Sequence, residues 1–310
     1  MIHVYRRTAG PILLAVVGAL LAYALVPRFG TPINIGYLLM QSAPLLLTAV
    51  GQTLVILTRG IDLSVGASVT LAGVLASIIM DPANGGSVPL ALATCAGAAI
   101  AVGLVNGVLV VGYRLPPFLA TLAMTFFLAG VNLYLRPAPG GQIAESLQNA
   151  VSARWGFVPV SIVVVLALLL LLALYLDRSR FGLRLRAVGW DEKAARLAGV
   201  SAGWVKIAAY VGSALLASAA GLAIAARTGT GDALVGNSYQ LASISAAVLG
   251  GVDLAGGRGT VGGALAGAIV LAIIGNALNL LGVVAYWQWI IQGMILLIAV
   301  SFYAVRAAAR

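Results

Sequence analysis

Few side chains in this sequence have the types and spacing to do chemistry, and the first candidate is Gly257-Arg-Gly259-Thr-Val-Gly262. It matches G-x-G-x-x-G, a pattern whose glycines let a backbone approach a pyrophosphate at the start of a helix. That chemistry also requires a preceding strand and an acidic residue about 20 positions downstream. No Asp or Glu follows Asp253, so dinucleotide binding is excluded. A phosphate loop requires Gly-Lys followed by Ser or Thr. The two lysines, Lys193 and Lys206, follow Glu192 and Val205. No nucleotide site and no catalytic residue is expected; if hydrolysis drives this protein, ATP and Mg are bound by a partner chain. With one histidine, His3, and one cysteine, Cys95, neither a metal cluster nor a disulfide framework is expected.

Ionisable groups come next. Proton relays through membranes rely on intramembrane Asp, Glu or His, and the eight acids fall in loops or at the ends of apolar segments. Asp62 and Asp253 lie nearest to hydrocarbon, and each is expected to bond free amides at the start of the following helix. Ion coupling gains no support, although sodium held by carbonyls would leave no trace in a sequence. Neutral polar residues are more frequent in the apolar segments: Gln41, Gln52, Asn106, Asn132, Ser213, Ser245, Asn276, Asn279 and Gln292. Most are expected to join helices by hydrogen bonds. Gln52, Asn106, Ser245, Asn276 and Asn279 are candidates to line a path for a neutral, hydroxyl-bearing solute.

The elements that must position these groups are membrane spans. Of 310 residues, 62% are hydrophobic and 8% charged, with mean hydropathy +1.07, whereas soluble domains carry about 25% charge. The composition predicts an all-α polytopic membrane protein forming one transmembrane domain over 1–310. At about 20 apolar residues per span, spans are predicted near 11–27, 33–57, 63–80, 88–112, 116–135, 159–176, 204–226, 238–252, 259–281 and 286–305. Those around 61–80 and 238–252 are short enough to be re-entrant or broken. The first 27 residues imitate a signal peptide, but an uncleaved first span is expected.

A net charge of +10 would point to nucleic acid in a soluble protein; here it reads as topology. Arg6, Arg7, Arg59, Arg114, Arg178, Arg180, Arg184, Arg186, Lys193, Arg196, Lys206, Arg258, Arg306 and Arg310 fall on one side. Arg28, Arg136, Arg154 and Arg227 fall on the other, which accounts for all 18 basic residues. The bias predicts both termini in the cytoplasm. An outer loop at 136–158 is expected to hold a short interfacial helix between Ile143 and Trp155.

The one long charged segment, 177–203, is then cytoplasmic. Within it Asp191 to Ala198 reads as a short helix, with Gly189 as a turn before it and Gly199 as its stop. Such a helix could lie on anionic lipid or insert into a groove on a cytoplasmic protein. Gly60-Ile-Asp62-Leu63 and Gly251-Val-Asp253-Leu254 read as a weak parallel repeat, and such repeats occur in transporters. Gly259, Gly263 and Gly267 are expected to form a close-packing helix face, as are Gly103 and Gly107.

Together these pieces resemble the permease subunits of ABC importers of the ribose, xylose and galactose type. The similar blocks are Leu57-Thr-Arg-Gly-Ile-Asp-Leu-Ser-Val-Gly66, Pro116-Pro-Phe-Leu-Ala-Thr-Leu122, Phe181-Gly-Leu-Arg-Leu-Arg-Ala-Val-Gly189 and Asp191-Glu-Lys-Ala-Ala-Arg-Leu-Ala-Gly199. Val248-Leu-Gly-Gly-Val-Asp-Leu-Ala-Gly-Gly-Arg-Gly259 and Asn276-Ala-Leu-Asn-Leu280 complete them. The resemblance implies about ten spans in the bacterial inner membrane, a second permease, two cytoplasmic ATPase domains and a periplasmic solute-binding protein. It makes Glu192, Ala194 and Ala195, with Gly199, the helix that docks on the ATPase. Permeases for branched-chain amino acids, nucleosides or an autoinducer sugar belong to the same wider class, and a gradient-driven carrier is the competing one. Arg59 stands where the family commonly has glycine, and Trp190 where glycine or asparagine is usual.

Overall fold

A computed structural model describes residues 2–308. Arg310 of the charge count lies outside the described residues, as do the side chains of His3, Arg6, Arg7 and Arg306. In chain order the α-helices are α1 (Ile2–Leu25), α2 (Pro32–Leu57), α3 (Val65–Ile79), α4 (Val88–Val111), α5 (Pro117–Leu135), α6 (Glu145–Ser152) and α7 (Val160–Arg178). They continue as α8 (Arg180–Trp190), α9 (Glu192–Leu197), α10 (Ala202–Thr228), α11 (Asn237–Leu249), α12 (Val261–Leu280) and α13 (Ala285–Ala308). A helix lies at each of the ten apolar segments expected from the sequence.

Among the described residues, six helices, α2, α4, α5, α7, α10 and α12, are long and apolar enough to cross a membrane. The protein is an all-α polytopic membrane protein. α3 and α11, with 15 and 13 residues, reach only roughly 22 and 20 Å at about 1.5 Å per residue, short of about 30 Å of hydrocarbon.

The long helix α2 forms the centre of the molecule and is the most enclosed of the six. It begins with the Thr31 hydroxyl accepting the Asn34 amide and with Pro32, which has no N–H to leave unsatisfied. It packs against α7, α8, α10, α11 and α12, while α10 also holds α3 and α4. Lipid removes most of the hydrophobic drive between helices, so close approach of backbones has to supply the attraction. Gly103 and Gly107 do this for α4 on α10: a Cβ at either would lie 2.5 or 2.9 Å from the Cα of Val211 or Ile207. Gly263 and Gly267 do it for α12 on α11, where a Cβ would lie 2.2 and 2.1 Å from the carbonyl oxygens of Gly250 and Ala246. Gly259 lies in the loop before α12, not on its packing face.

Three further sequence expectations change. The segment 177–203 is mostly helical, because Ser179 ends α7 and its hydroxyl accepts the Gly182 amide to start α8. Segment 136–158 holds the expected short helix, α6, and leads into an unexpected two-stranded ribbon pairing Arg154–Trp155 with Val158–Pro159. The tetrapeptide repeat is out of register. At the end of α2, the Arg59 and Gly60 amides donate to Ile56 and Val55; at the end of α11, the Gly251 and Val252 amides donate to Val248 and Ala247. Helix geometry therefore pairs Arg59 with Gly251 and Gly60 with Val252, leaving the two aspartates one position out of step.

Candidate functional site

The expected docking helix is built from its caps inward. Asp191 is its N-cap, with its carboxylate accepting the Ala194 amide at 3.0 Å. Gly199, at φ +79°, ends it: its own amide and that of Val200 bond back to Arg196 and Ala195, as in other glycine-terminated helices. Ala195 is buried against the body of the protein, while Lys193, Ala194, Arg196 and Leu197 face outward. Leu197 is 91% exposed on so short a helix, leaving an apolar tip among charges.

Glu192 has a different role from the outward-facing residues. Its carboxylate accepts from Arg196 one turn on and from Lys206 at the start of α10. Partial burial pushes the carboxyl upward, but hydrogen bonds and charge from Lys206 and Arg196 outweigh burial and hold it below the ordinary range. Glu192 thus ties α9 to α10.

Gly189 is also reassigned. It is not a turn but the penultimate residue of α8, buried where three segments converge. A Cβ there would lie 1.8 Å from the Leu57 carbonyl and 2.5 Å from the Gly257 amide. Those two groups bond each other at 3.0 Å. The end of α2, the end of α8 and the α11–α12 loop therefore meet at one point, directly before α9.

Just inside this junction lies Asp62, 1% exposed. Oδ1 accepts from the Ser64 amide and hydroxyl at 2.9 and 2.6 Å, and Oδ2 accepts from Ser213 of α10 at 3.0 Å. The expected bonding at the start of the next helix holds here. Asp253 instead accepts the Ala255 amide within its own loop, and Thr260 caps α12. Gly60 makes room for Tyr210, whose hydroxyl would lie 2.7 Å from a Cβ, and Gly66 lets Gly236 approach α3.

The five path candidates are not brought together. In the amide orientation that satisfies both partners, Gln52 bonds the backbone N–H and carbonyl of Asp62. Asn106 donates to the Ser64 hydroxyl at 2.9 Å. These two belong to the Asp62 network. Ser245 bonds its own helix at Leu241, and Asn276 exchanges two hydrogen bonds with Asn34, a partner not singled out from sequence. Asn279 is exposed. A cavity of about 100 Å³ lies near the opposite ends of α3 and α10, lined by Gly73, Pro139, Thr228, Thr230, Asp232 and Val235 among others. None of the five lines it.

A family model described as branched-chain amino acid transport system / permease component matches residues 34–300. The chain belongs to this permease family. The ribose import permease protein RbsC of Escherichia coli (strain K12) is 39% identical over 283 residues, covering 89% of this permease and 87% of its own length. RbsC of Bacillus subtilis (strain 168) is 35% identical over 294 residues, with 94% and 91% covered. The galactose/methyl galactoside import permease protein MglC of Haemophilus influenzae is 32% identical over 316 residues, with 96% and 93% covered. No solved structure matches the permease.

Sequence reasoning missed the contacts around α9. Lys206 is one, and Arg59 and Arg258 are others. The Arg59 Nε donates to the Gly189 carbonyl at 2.7 Å and its Nη2 to the Trp190 carbonyl at 2.6 Å. The Arg258 guanidinium sits 4.2 Å from the centre of the Trp190 ring, within cation–π range. Arg59 and Trp190 were each conspicuous as departures from the family pattern, but nothing in the linear sequence says that they touch.

Proposed function

We propose that this permease is the membrane subunit of an ATP-driven, binding-protein-dependent importer that carries a monosaccharide into the bacterial cytoplasm. The observation that carries this reading is the near full-length match, in both directions, to ribose import permeases of two bacteria. In this reading the ten apolar helices cross or enter the inner membrane, with both termini cytoplasmic. The residues assigned to the cytoplasmic side by charge include Arg59 and Arg258, which lie beside α9.

The ATP and Mg are held by a cytoplasmic ATPase whose groove receives the apolar tip of α9 at Leu197. Closure of the ATPase pushes α9. Its rigid ties carry the push into α10 through Glu192–Lys206 and toward α2 through the junction at Gly189. The solute, delivered by a periplasmic binding protein, crosses beside a second copy of the permease or a close relative. The five path candidates, Gln52, Asn106, Ser245, Asn276 and Asn279, are all neutral, which suits a sugar that must pass without being retained.

Affinity purification from native membranes tests the assembly: an ATPase subunit should co-purify. In vesicles containing the complex and its binding protein, labelled ribose or galactose uptake should require ATP and survive an ionophore. Uptake that survives ATP depletion but collapses with the ionophore would replace this reading with a gradient-driven carrier. Competition by leucine or adenosine, and not by sugars, would move the solute class to branched-chain amino acids or nucleosides.

A further inference from the structure

Arg59 occupies a backbone conformation that arginine rarely adopts, φ +63°. For a residue with a Cβ the left-handed region costs about 1–2 kcal/mol. Such strain persists only where surrounding contacts hold it, and here those contacts are specific. The last four carbonyls of a helix lack partners within it, and the guanidinium of Arg59 bonds two at the end of α8, those of Gly189 and Trp190. It also places a positive charge at the negative end of the α8 dipole. The next residue, Asp191, begins α9. The Arg258 guanidinium sits over the Trp190 ring, and the Gly257 amide bonds the Leu57 carbonyl at the end of α2.

We propose that Arg59 is a positioning residue, a latch that makes the α8–α9 elbow, the end of α2 and the α11–α12 loop move as one body. It rests on the assignment of α9 as the ATPase contact and deepens it: the latch is how displacement of α9 reaches the central helix. Without it, the elbow pivots on Gly189 and the push is lost before α2.

Arg59→Gly suits the test because glycine accepts φ +63°, so the variant keeps its fold while losing both hydrogen bonds. Spin labels are placed at Ala198→Cys, the C-cap of α9 and clear of the Leu197 tip, and at Ala255→Cys on the α11–α12 loop, both exposed. The native Cys95 is buried. The permease is reconstituted in lipid discs with the ATPase that co-purifies with it, and the distance is measured without nucleotide and with ATP plus vanadate. With Arg59 present, one narrow distance should appear in both states. Arg59→Gly should roughly double its width, or shift it, only in the nucleotide state, as expected for a released hinge. Arg59→Lys, which keeps the charge and can reach one carbonyl, should recover part of the narrowing. Identical distances for Arg59→Gly and the parent in both states would overturn the latch alone, as would a parent distance that changes with nucleotide. Failure of any ATPase to co-purify would overturn the α9 assignment and the latch with it.

Discussion

Two chain reversals lie side by side at the junction, one between α2 and α3 and the other between α11 and α12. Both leave their helix by the same pair of backward hydrogen bonds, and each exit passes through a left-handed residue at the matching position. The second uses Gly251 at φ +79° and the first uses Arg59 at φ +63°. Asp253 spends its side chain within its own loop, whereas Asp62 spends its own on α10. The exit at Gly251 is made by residue type alone, although farther on its loop meets the junction through Gly257 and Arg258. The other is made by tertiary contacts and is inseparable from the helices around it. The same backbone exit can thus be secured by residue type or by tertiary contacts.

The largest test of this contrast is at the residue between the two turns. Gly189→Ala would drive a methyl group into the Leu57 carbonyl, and overpacking against unyielding backbone should cost about 3 kcal/mol or more. The expected result is a large fall in the unfolding temperature of the purified permease, with little monodisperse protein on size exclusion. Next comes the aspartate pair. Asp62→Ala leaves Ser64 and Ser213 without their acceptor in the interior and should cost about 3 kcal/mol, against about 1 kcal/mol for Asp253→Ala. Equal shifts in thermal unfolding would break the comparison.

Smaller effects distinguish the left-handed positions. Gly251→Ala should destabilise by about 1 kcal/mol, while Arg59→Gly should be near neutral, since relief of strain offsets the lost hydrogen bonds. A strongly destabilised Arg59→Gly would mean that the arginine holds the fold and not merely the elbow. The smallest effect concerns pH. The folded-state pKa of Glu192 is depressed, so the tether to Lys206 contributes fully at neutral pH and is lost as pH falls through that depressed value. A spin label at Leu197→Cys should keep its mobility down to about pH 4.3, the ordinary glutamate value, and loosen only below it. Glu192→Gln should be loose at pH 7.

Much of the architecture was legible because it rests on composition and length. The apolar segments mark their helices within a few residues, and Gly263 and Gly267 betray a close-packed face by their spacing of four. Asp191 and Gly199 bracket α9 because capping is local chemistry. Gly189 was read as a turn because its neighbours in the chain invite one, whereas it lies inside α8 and the carbonyl that forbids a side chain comes from Leu57, 132 residues earlier. The path candidates failed to converge for a related reason. A buried amide looks the same in a sequence whether it faces a solute or, like Asn276, faces Asn34 on another helix.

The latch at position 59 also has an evolutionary side. Glycine and arginine codons can differ by a single base, and glycine is the residue that fits this backbone without help. A lineage can therefore acquire or discard the attachment in one mutational step, with no intermediate that fails to fold. Under the proposed latch, tightness of coupling between α9 and the central helix becomes a trait on which selection can act directly, independently of solute choice.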